Sequence, residues 1–231
     1  MRLKDILSPT IKPTVGTPLL THAYDSDFCQ EVVAKGWLTE QQMRHAVERY
    51  HLGKSRSGKC IFWMIDDLDY VLDGHIGSSW AAQMLKAREP RLLSHWHTFH
   101  CLFGLHLLST LFTIHSSLSI GIVESERSAV ILSELYPQCL WLAWVYPANL
   151  TSDKLEPLRG HKVILYPRAS QAMEYYMFCL EIADQASRLY HLDITVSTIL
   201  EDNATAAQKS AQIDLIDFIF LKNTDYMDFM E

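Results

Sequence analysis

From residue 119 to residue 197, short apolar runs alternate with stretches of helical periodicity, and that alternation restricts this half of the chain to an α/β fold. Strands are expected at 119–123, 139–145, 162–166 and 193–197, with helices at 125–135, 152–158 and 169–190 between them. Strand–helix–strand units cross over right-handed, so a mainly parallel sheet flanked by helices follows. In the longest helical stretch Ala172, Tyr176, Cys179, Ala183, Ala186 and Tyr190 recur every three or four residues, which predicts a buried stripe. Two strand ends carry chemistry. Ser119-Ile120-Gly121-Ile122-Val123 runs into Glu124 as the next helix opens, and Val163-Ile164-Leu165-Tyr166-Pro167 runs into Arg168-Ala169-Ser170.

The first half reads differently. Residues 1–24 carry Pro9, Pro13, Pro18 and Gly16 without periodicity, so an extended or disordered arm is expected there. Residues 25–110 read as an α+β lobe. Phe28, Val32 and Val33, then Met43, Ala46, Val47 and Tyr50, lie at helical spacing on either side of Lys35-Gly36-Trp37, which gives two helices and a turn. Thr39 and Gln42 form a capping-box pattern for the second helix. Cys60-Ile61-Phe62-Trp63-Met64-Ile65 and Tyr70-Val71-Leu72 flank the polar Asp66-Asp67-Leu68-Asp69, a hairpin pattern, and a short helix is expected within Trp80 to Arg88. Residues 111–231 then form the α/β domain, closed by a C-terminal helix.

At 231 residues and 48% hydrophobic content the chain can bury a substantial core. A net charge of −7 and a pI near 5.9 argue against strong non-specific DNA binding, which rests on many cationic contacts to phosphates. Five cysteines without a CxxC pair, each in an apolar context, fit a reducing, cytoplasmic setting as small buried hydrophobes. The N-terminus has no apolar signal-peptide core, and His106 and His115 interrupt the apolar run from Cys101 to Val123, so neither export nor membrane contact is expected.

The order of several short segments resembles the catalytic core of bacterial primases. Lys35-Gly36-Trp37-Leu38-Thr39-Glu40 and Glu48-Arg49-Tyr50-His51-Leu52-Gly53 are similar to its "GLTEE" turn and "RFGLGY" segment. Ile61 to Asp66 with Val71 to Ile76 resemble its hairpin, "IFPIRD..GRVIGFGGR", and Leu102-Phe103-Gly104-Leu105 its "LYGL". Val123-Glu124-Ser125-Glu126 resembles "VEGYMD", the opening of a Toprim nucleotidyl-transfer domain, and residues 163–167 resemble the strand that ends there in "DGDRAG". The resemblance spans about residues 28–197 and extends to small primase-like proteins with "IFWQID" and "VESEKTA" segments. Those proteins carry an N-terminal zinc motif that this sequence does not.

The resemblance implies a Toprim fold preceded by a primase-core-like lobe. It also implies a glutamate for general acid/base work and two aspartates for magnesium. Glu124 matches the glutamate and is the candidate catalytic residue. Arg168 and Ser170 fall where the aspartates would stand, Val145-Tyr146-Pro147-Ala148-Asn149 replaces a glycine-bearing turn, and His75 stands where a basic residue would face the template. No metal site and no cofactor are therefore expected. Arg168, Lys54, Arg56 and Lys59 are candidate phosphate or nucleic-acid contacts, and Arg168 can alternatively pair with Glu124. The cluster His95, His97, His100, Cys101 and His106 has no metal-ligand spacing and is read as packing.

The expected function is a catalytically degenerate, primase-related Toprim protein. It would act in DNA replication or a mobile element, with single-stranded DNA or replication proteins as partners. Two alternatives remain. One is an active magnesium-dependent nucleotidyl or phosphoryl transferase using Glu124, with carboxylates recruited from Asp66, Asp67 or Asp69. The other is an acidic interaction module with no nucleic-acid role.

Overall fold

The computed structural model describes residues 23–69, 71–77, 79–80, 101–111 and 118–227. The chain divides into two compact units, Met1–Ser116 and Ser117–Glu231. Residues 1–22 of the arm expected at 1–24, residues 81–88 of the expected helix, and His95, His97 and His100 lie outside the described residues, whereas Ala23–Asp25 form a 3-10 turn rather than an extended arm and Trp80 lies in a strand rather than a helix.

The first unit opens with α1 (Asp27–Ala34) and α2 (Glu40–Tyr50). Between them Gly36 takes φ +67°, a left-handed conformation that glycine enters without a Cβ penalty. The capping box at α2 is formed in full: Thr39 Oγ1 accepts from Gln42 N–H at 3.2 Å, and Gln42 Oε1 accepts from Thr39 N–H at 3.0 Å. Four antiparallel strands follow in sequential order, β1 (Gly53–Lys54), β2 (Cys60–Ile65), β3 (Val71–Ile76) and β4 (Ser79–Trp80), and then α3 (Leu107–Leu111). Every residue of β2 is buried, and Phe62 packs against Phe28 of α1 and edge-on to Phe103, which stacks on Tyr50 of α2. The Leu102–Leu105 segment therefore serves as core.

Glycines seat large indoles. Trp63 of β2 pairs directly with Gly74 of β3, and a Cβ built on Gly74 would lie 2.7 Å from the indole. His75 is also buried, on the register position opposite Phe62.

In the second unit β5 (Ser119–Val123), β6 (Cys139–Ala143), β7 (Lys162–Leu165) and β8 (Asp193–Val196) form one parallel sheet in the order β6-β5-β7-β8. The connections carry α4 (Glu126–Leu135), a 3-10 helix at Ser152–Leu158, and α5 (Glu174–Tyr190). Short helices α6 (Ile199–Asn203) and α7 (Ala206–Ser210) lead to α8 (Leu215–Met227), which packs on α4. Helix α4 is buried on several sides, with Ser128 to Ser133 all enclosed, because the sheet covers one flank and α8 another.

The short helix expected at 152–158 is present with those bounds, wound as 3-10, with Pro157 removing a backbone donor. Two expected boundaries shift. The strand expected at 139–145 ends at Ala143, because Val145 turns to φ +71°. The helix expected at 169–190 begins only at Glu174, after a 3-10 turn at Gln171–Met173, with Ala172 and Met173 at φ +54° and +58°. Cys179, Ala183 and Ala186 form the buried stripe as expected, while Ala172 lies exposed outside the helix. Among the described residues no helix is long and apolar enough to cross a membrane.

Gly121, at the centre of β5, supports the indole of Trp141 on the neighbouring strand, whose Nε1 donates to Tyr136 O at 3.1 Å. A Cβ there would lie 2.6 Å from the ring, closer than contact allows. Gly121→Ala is expected to destabilise the chain by about 1–3 kcal/mol. The measurements are denaturant unfolding and the emission of the displaced tryptophan.

His106 supplies a second test. Its ring is buried against His51, and its Nε2 approaches Arg49 O at 3.4 Å. Burial first, then the His51 ring, depress its pKa to about 3 from the ordinary 6.5. The unfolded chain thus binds a proton between these values that the folded chain refuses. Stability from this site is complete above pH 6.5 and lost as pH falls from there through 3, by up to roughly 5 kcal/mol. His106→Leu should flatten the fall in melting temperature over that window.

Candidate functional site

The carboxyl edge of the parallel sheet gathers residues from four parts of the second unit. Strands β5, β6 and β7 run in register, so the residues that follow them emerge side by side. Glu124, directly after β5, is 8% exposed, and its carbonyl accepts from Val145 N–H at 2.8 Å. Its carboxylate Oε2 accepts from Arg168 Nε at 2.6 Å. Arg168 is also held from the other side, its guanidinium 5.2 Å from the ring centre of Tyr175 in the first turn of α5. The arginine is thus braced by a carboxylate and an aromatic ring.

Ser170 turns elsewhere. It is buried, its Oγ accepts from Tyr175 N–H at 3.2 Å, and its own N–H donates to Glu201 Oε1 at 3.3 Å. Its side chain therefore caps the start of α5, and Lys209 Nζ lies 3.2 Å from the buried Glu201 carboxylate behind it.

The residue that sequence reasoning missed is Asp214. Ala169 N–H donates to Ile213 O at 2.9 Å, and this bond brings the segment before α8 alongside the Arg168 turn. Asp214 accepts from Ser128 Oγ on α4, and its Oδ1 accepts from Asp217 N–H at 2.9 Å to cap α8. The pattern Asp214-x-x-Asp217 before an apolar run is a helix-start signal, but nothing in it announces a neighbour at residue 124.

Electrostatics at Glu124 run against one another. Burial raises its pKa above the ordinary 4.5, Arg168 lowers it by charge and by hydrogen bond, and the Asp214 carboxylate raises it again. Burial wins the sum. Beneath the site, burial pushes the Cys179 thiol up to about 12, with a further contribution from Glu124. Glu126, the first residue of α4, is buried and raises the pKa of Tyr146 beyond what burial alone does.

The backbone around the site is strained. Val145 is a β-branched residue at φ +71°, and Tyr146 N–H closes a three-residue turn onto Trp144 O at 2.9 Å. Ala172 and Met173 repeat the left-handed conformation on the β7 side. Such residues cost about 1–3 kcal/mol each and collect at ligand clamps and active sites.

The other candidates lie in the first unit. Lys54 Nζ pairs with the Asp25 carboxylate, and Lys59 Nζ lies 3.3 Å from Asp27 Oδ2, so both lysines are committed to local acids. Arg56 is exposed. Asp66, Asp67 and Asp69 form the β2–β3 turn, with Asp66 Oδ1 accepting from Leu68 N–H at 3.0 Å. Among the described residues no cluster of His, Cys, Asp or Glu has the arrangement of a metal site.

A family described as a domain of unknown function, DUF6371, matches residues 26–169, well over half of the chain. The chain belongs to this family. No curated protein and no solved structure matches it. The DUF6371 segment contains both Glu124 and Arg168 and closes at Ala169, whereas Asp214 arrives from beyond it.

Removing the cation is the direct test of this geometry. Arg168→Ala leaves a buried carboxylate beside Asp214, so the folded pKa of Glu124 should climb further. Protonated Glu124 needs no partner, so the loss appears as pH rises above about 4.5 and is absent below it. Near neutral pH it should reach roughly 2 kcal/mol. Chemical denaturation at pH 4 and pH 7 measures the difference, and equal losses at the two values would contradict the assignment.

Proposed function

We propose that this DUF6371 protein is a Toprim-like, primase-related scaffold whose metal site has been replaced by an ion pair. In this reading it is a cytoplasmic accessory of DNA replication or of a mobile element, holding single-stranded DNA or a replication protein rather than polymerising nucleotides. The observation that carries the reading is the 2.6 Å contact between Arg168 and Glu124 at the carboxyl edge of a parallel sheet, where open α/β sheets take ligands. A fixed guanidinium there satisfies the glutamate and repels a divalent cation. Its remaining N–H groups suit a phosphate or a partner's carboxylate, since the side chain is still 29% exposed.

A magnesium-dependent nucleotidyl or phosphoryl transferase is the second reading, and Asp214 favours it. It adds a carboxylate next to Glu124 that the linear sequence does not pair with it. In that case Arg168 would have to swing away as nucleotide and metal enter.

Two measurements separate these readings. Calorimetry with magnesium should detect no uptake at Glu124 by the unmodified protein, and Arg168→Asp should gain measurable affinity that a further Glu124→Gln change abolishes. Uptake by the unmodified protein that Glu124→Gln removes would favour the transferase. Fluorescence anisotropy with a labelled single-stranded oligonucleotide at low and moderate salt should show binding weakened by Arg168→Ala. An absence of binding at low salt would leave a protein partner.

A further inference from the structure

A second site lies in the first unit and owes nothing to the Glu124 edge. Residues of α1, of α2 and of the 3-10 turn at Ala23–Asp25 line a cavity of about 310 Å³, a volume at the lower end of the range for small-ligand pockets. Its lining includes Cys29 and Val33 of α1, Met43 of α2 and Tyr24 of the turn, so most of what it offers a ligand is apolar. Two charged side chains join them: Glu40, the first residue of α2, and Arg44 one turn later, both exposed.

These two charges are placed but not spent. Glu40 and Arg44 stand at i, i+4 on one side of α2, a spacing at which opposite charges usually pair. Among the described residues neither makes an ion pair or a side-chain hydrogen bond, with the other or with any third group. Glu48, the other carboxylate four residues from Arg44, is taken by Tyr24, whose hydroxyl donates to Glu48 Oε1 at 2.8 Å. Arg44 instead lies over the Tyr24 ring, its guanidinium 4.7 Å from the ring centre. The tyrosine that Glu48 holds thus keeps the guanidinium at the cavity wall with its N–H donors unused.

We propose that this cavity binds a free α-amino acid with an apolar side chain, its carboxylate held by Arg44, its ammonium by Glu40 and its side chain by the apolar lining. A planar guanidinium fork matches a carboxylate in two parallel hydrogen bonds. A ligand with a carboxylate alone would set a second negative charge beside Glu40, and one with an amine alone would set a positive charge against Arg44. A zwitterion answers both, and it carries its two charges on groups bonded to a single carbon, close enough for an i, i+4 pair to bracket. The small volume favours one amino acid over a longer peptide. Exposed charges bind weakly, so a Kd on the order of 1 mM is expected.

The test titrates the unmodified full chain with L-leucine and with L-phenylalanine, read by calorimetry and by the methyl NMR signal of Met43. Saturable uptake at one site is expected, with the Met43 signal moving along the same isotherm. Arg44→Gln and Glu40→Gln should each weaken it about ten-fold, and because both side chains are exposed the variants should keep the fold. Two analogues assign the ends of the ligand. Leucinamide, which lacks the carboxylate, should bind weakly and lose nothing more in Arg44→Gln; isocaproate, which lacks the ammonium, should bind weakly and lose nothing more in Glu40→Gln. No saturable uptake of either amino acid, uptake that either variant leaves unchanged, or analogues that bind as tightly as leucine would overturn the proposal.

Discussion

A carboxylate buried at the end of a central strand must be paired, and much of the second unit is arranged around that requirement. Glu124 cannot move to water, because its own backbone carbonyl is fixed by Val145 and the neighbouring strands hold β5 on both edges. An unpaired charge in such a place costs several kcal/mol. The chain leaving β7 therefore delivers Arg168, and once it does, Ala169 is positioned to bond Ile213. That bond fixes the residues before α8, whose Asp214 then ties to Ser128 on α4. One ion pair thus sets the path of the chain well past the sheet.

The strain at this edge belongs to the same account. A backbone that turns left-handed immediately after a parallel strand is glycine's territory, because a Cβ there meets the carbonyl. Val145 occupies that conformation with a branched side chain, and offsets the cost by burying it and by donating its N–H to Glu124. The resemblance to Toprim proteins places a glycine-bearing turn here. On the proposed reading, the path suited to a phosphate cradle persists while a valine fills it.

Strands β5 and β6 were legible because they are buried on both faces and so read as unbroken apolar runs, whereas the half-exposed edge strand β8 carries no such run. Proximity of Glu124 and Arg168 was legible for a related reason: parallel strands in register place their following residues together. The start of α5 was not, since alanine is the best helix former and Ala172 gives no sign that it adopts φ +54°. Asp214 was hidden by distance, because its place depends on a backbone bond between Ala169 and Ile213 that no local pattern encodes. The apolar context of Cys29 and Cys60 correctly marked them as buried.

Charge accounting bears on which partner the accessory role best fits. Lys54 and Lys59, the lysines closest to the hairpin, already neutralise Asp25 and Asp27, and Arg168 neutralises Glu124. Nucleic-acid affinity grows with the number of phosphates neutralised, each adding close to one unit to the slope of log K against log salt. A chain of net charge −7 with three of its four candidate cations so committed offers few such contacts. Any strand it holds would be held by a small number of well-placed groups, of which the guanidinium braced between Glu124 and Tyr175 is the most rigid. Rigid placement serves recognition of one phosphate or one carboxylate better than it serves tracking along a backbone, and this favours a local, specific contact over general affinity for DNA.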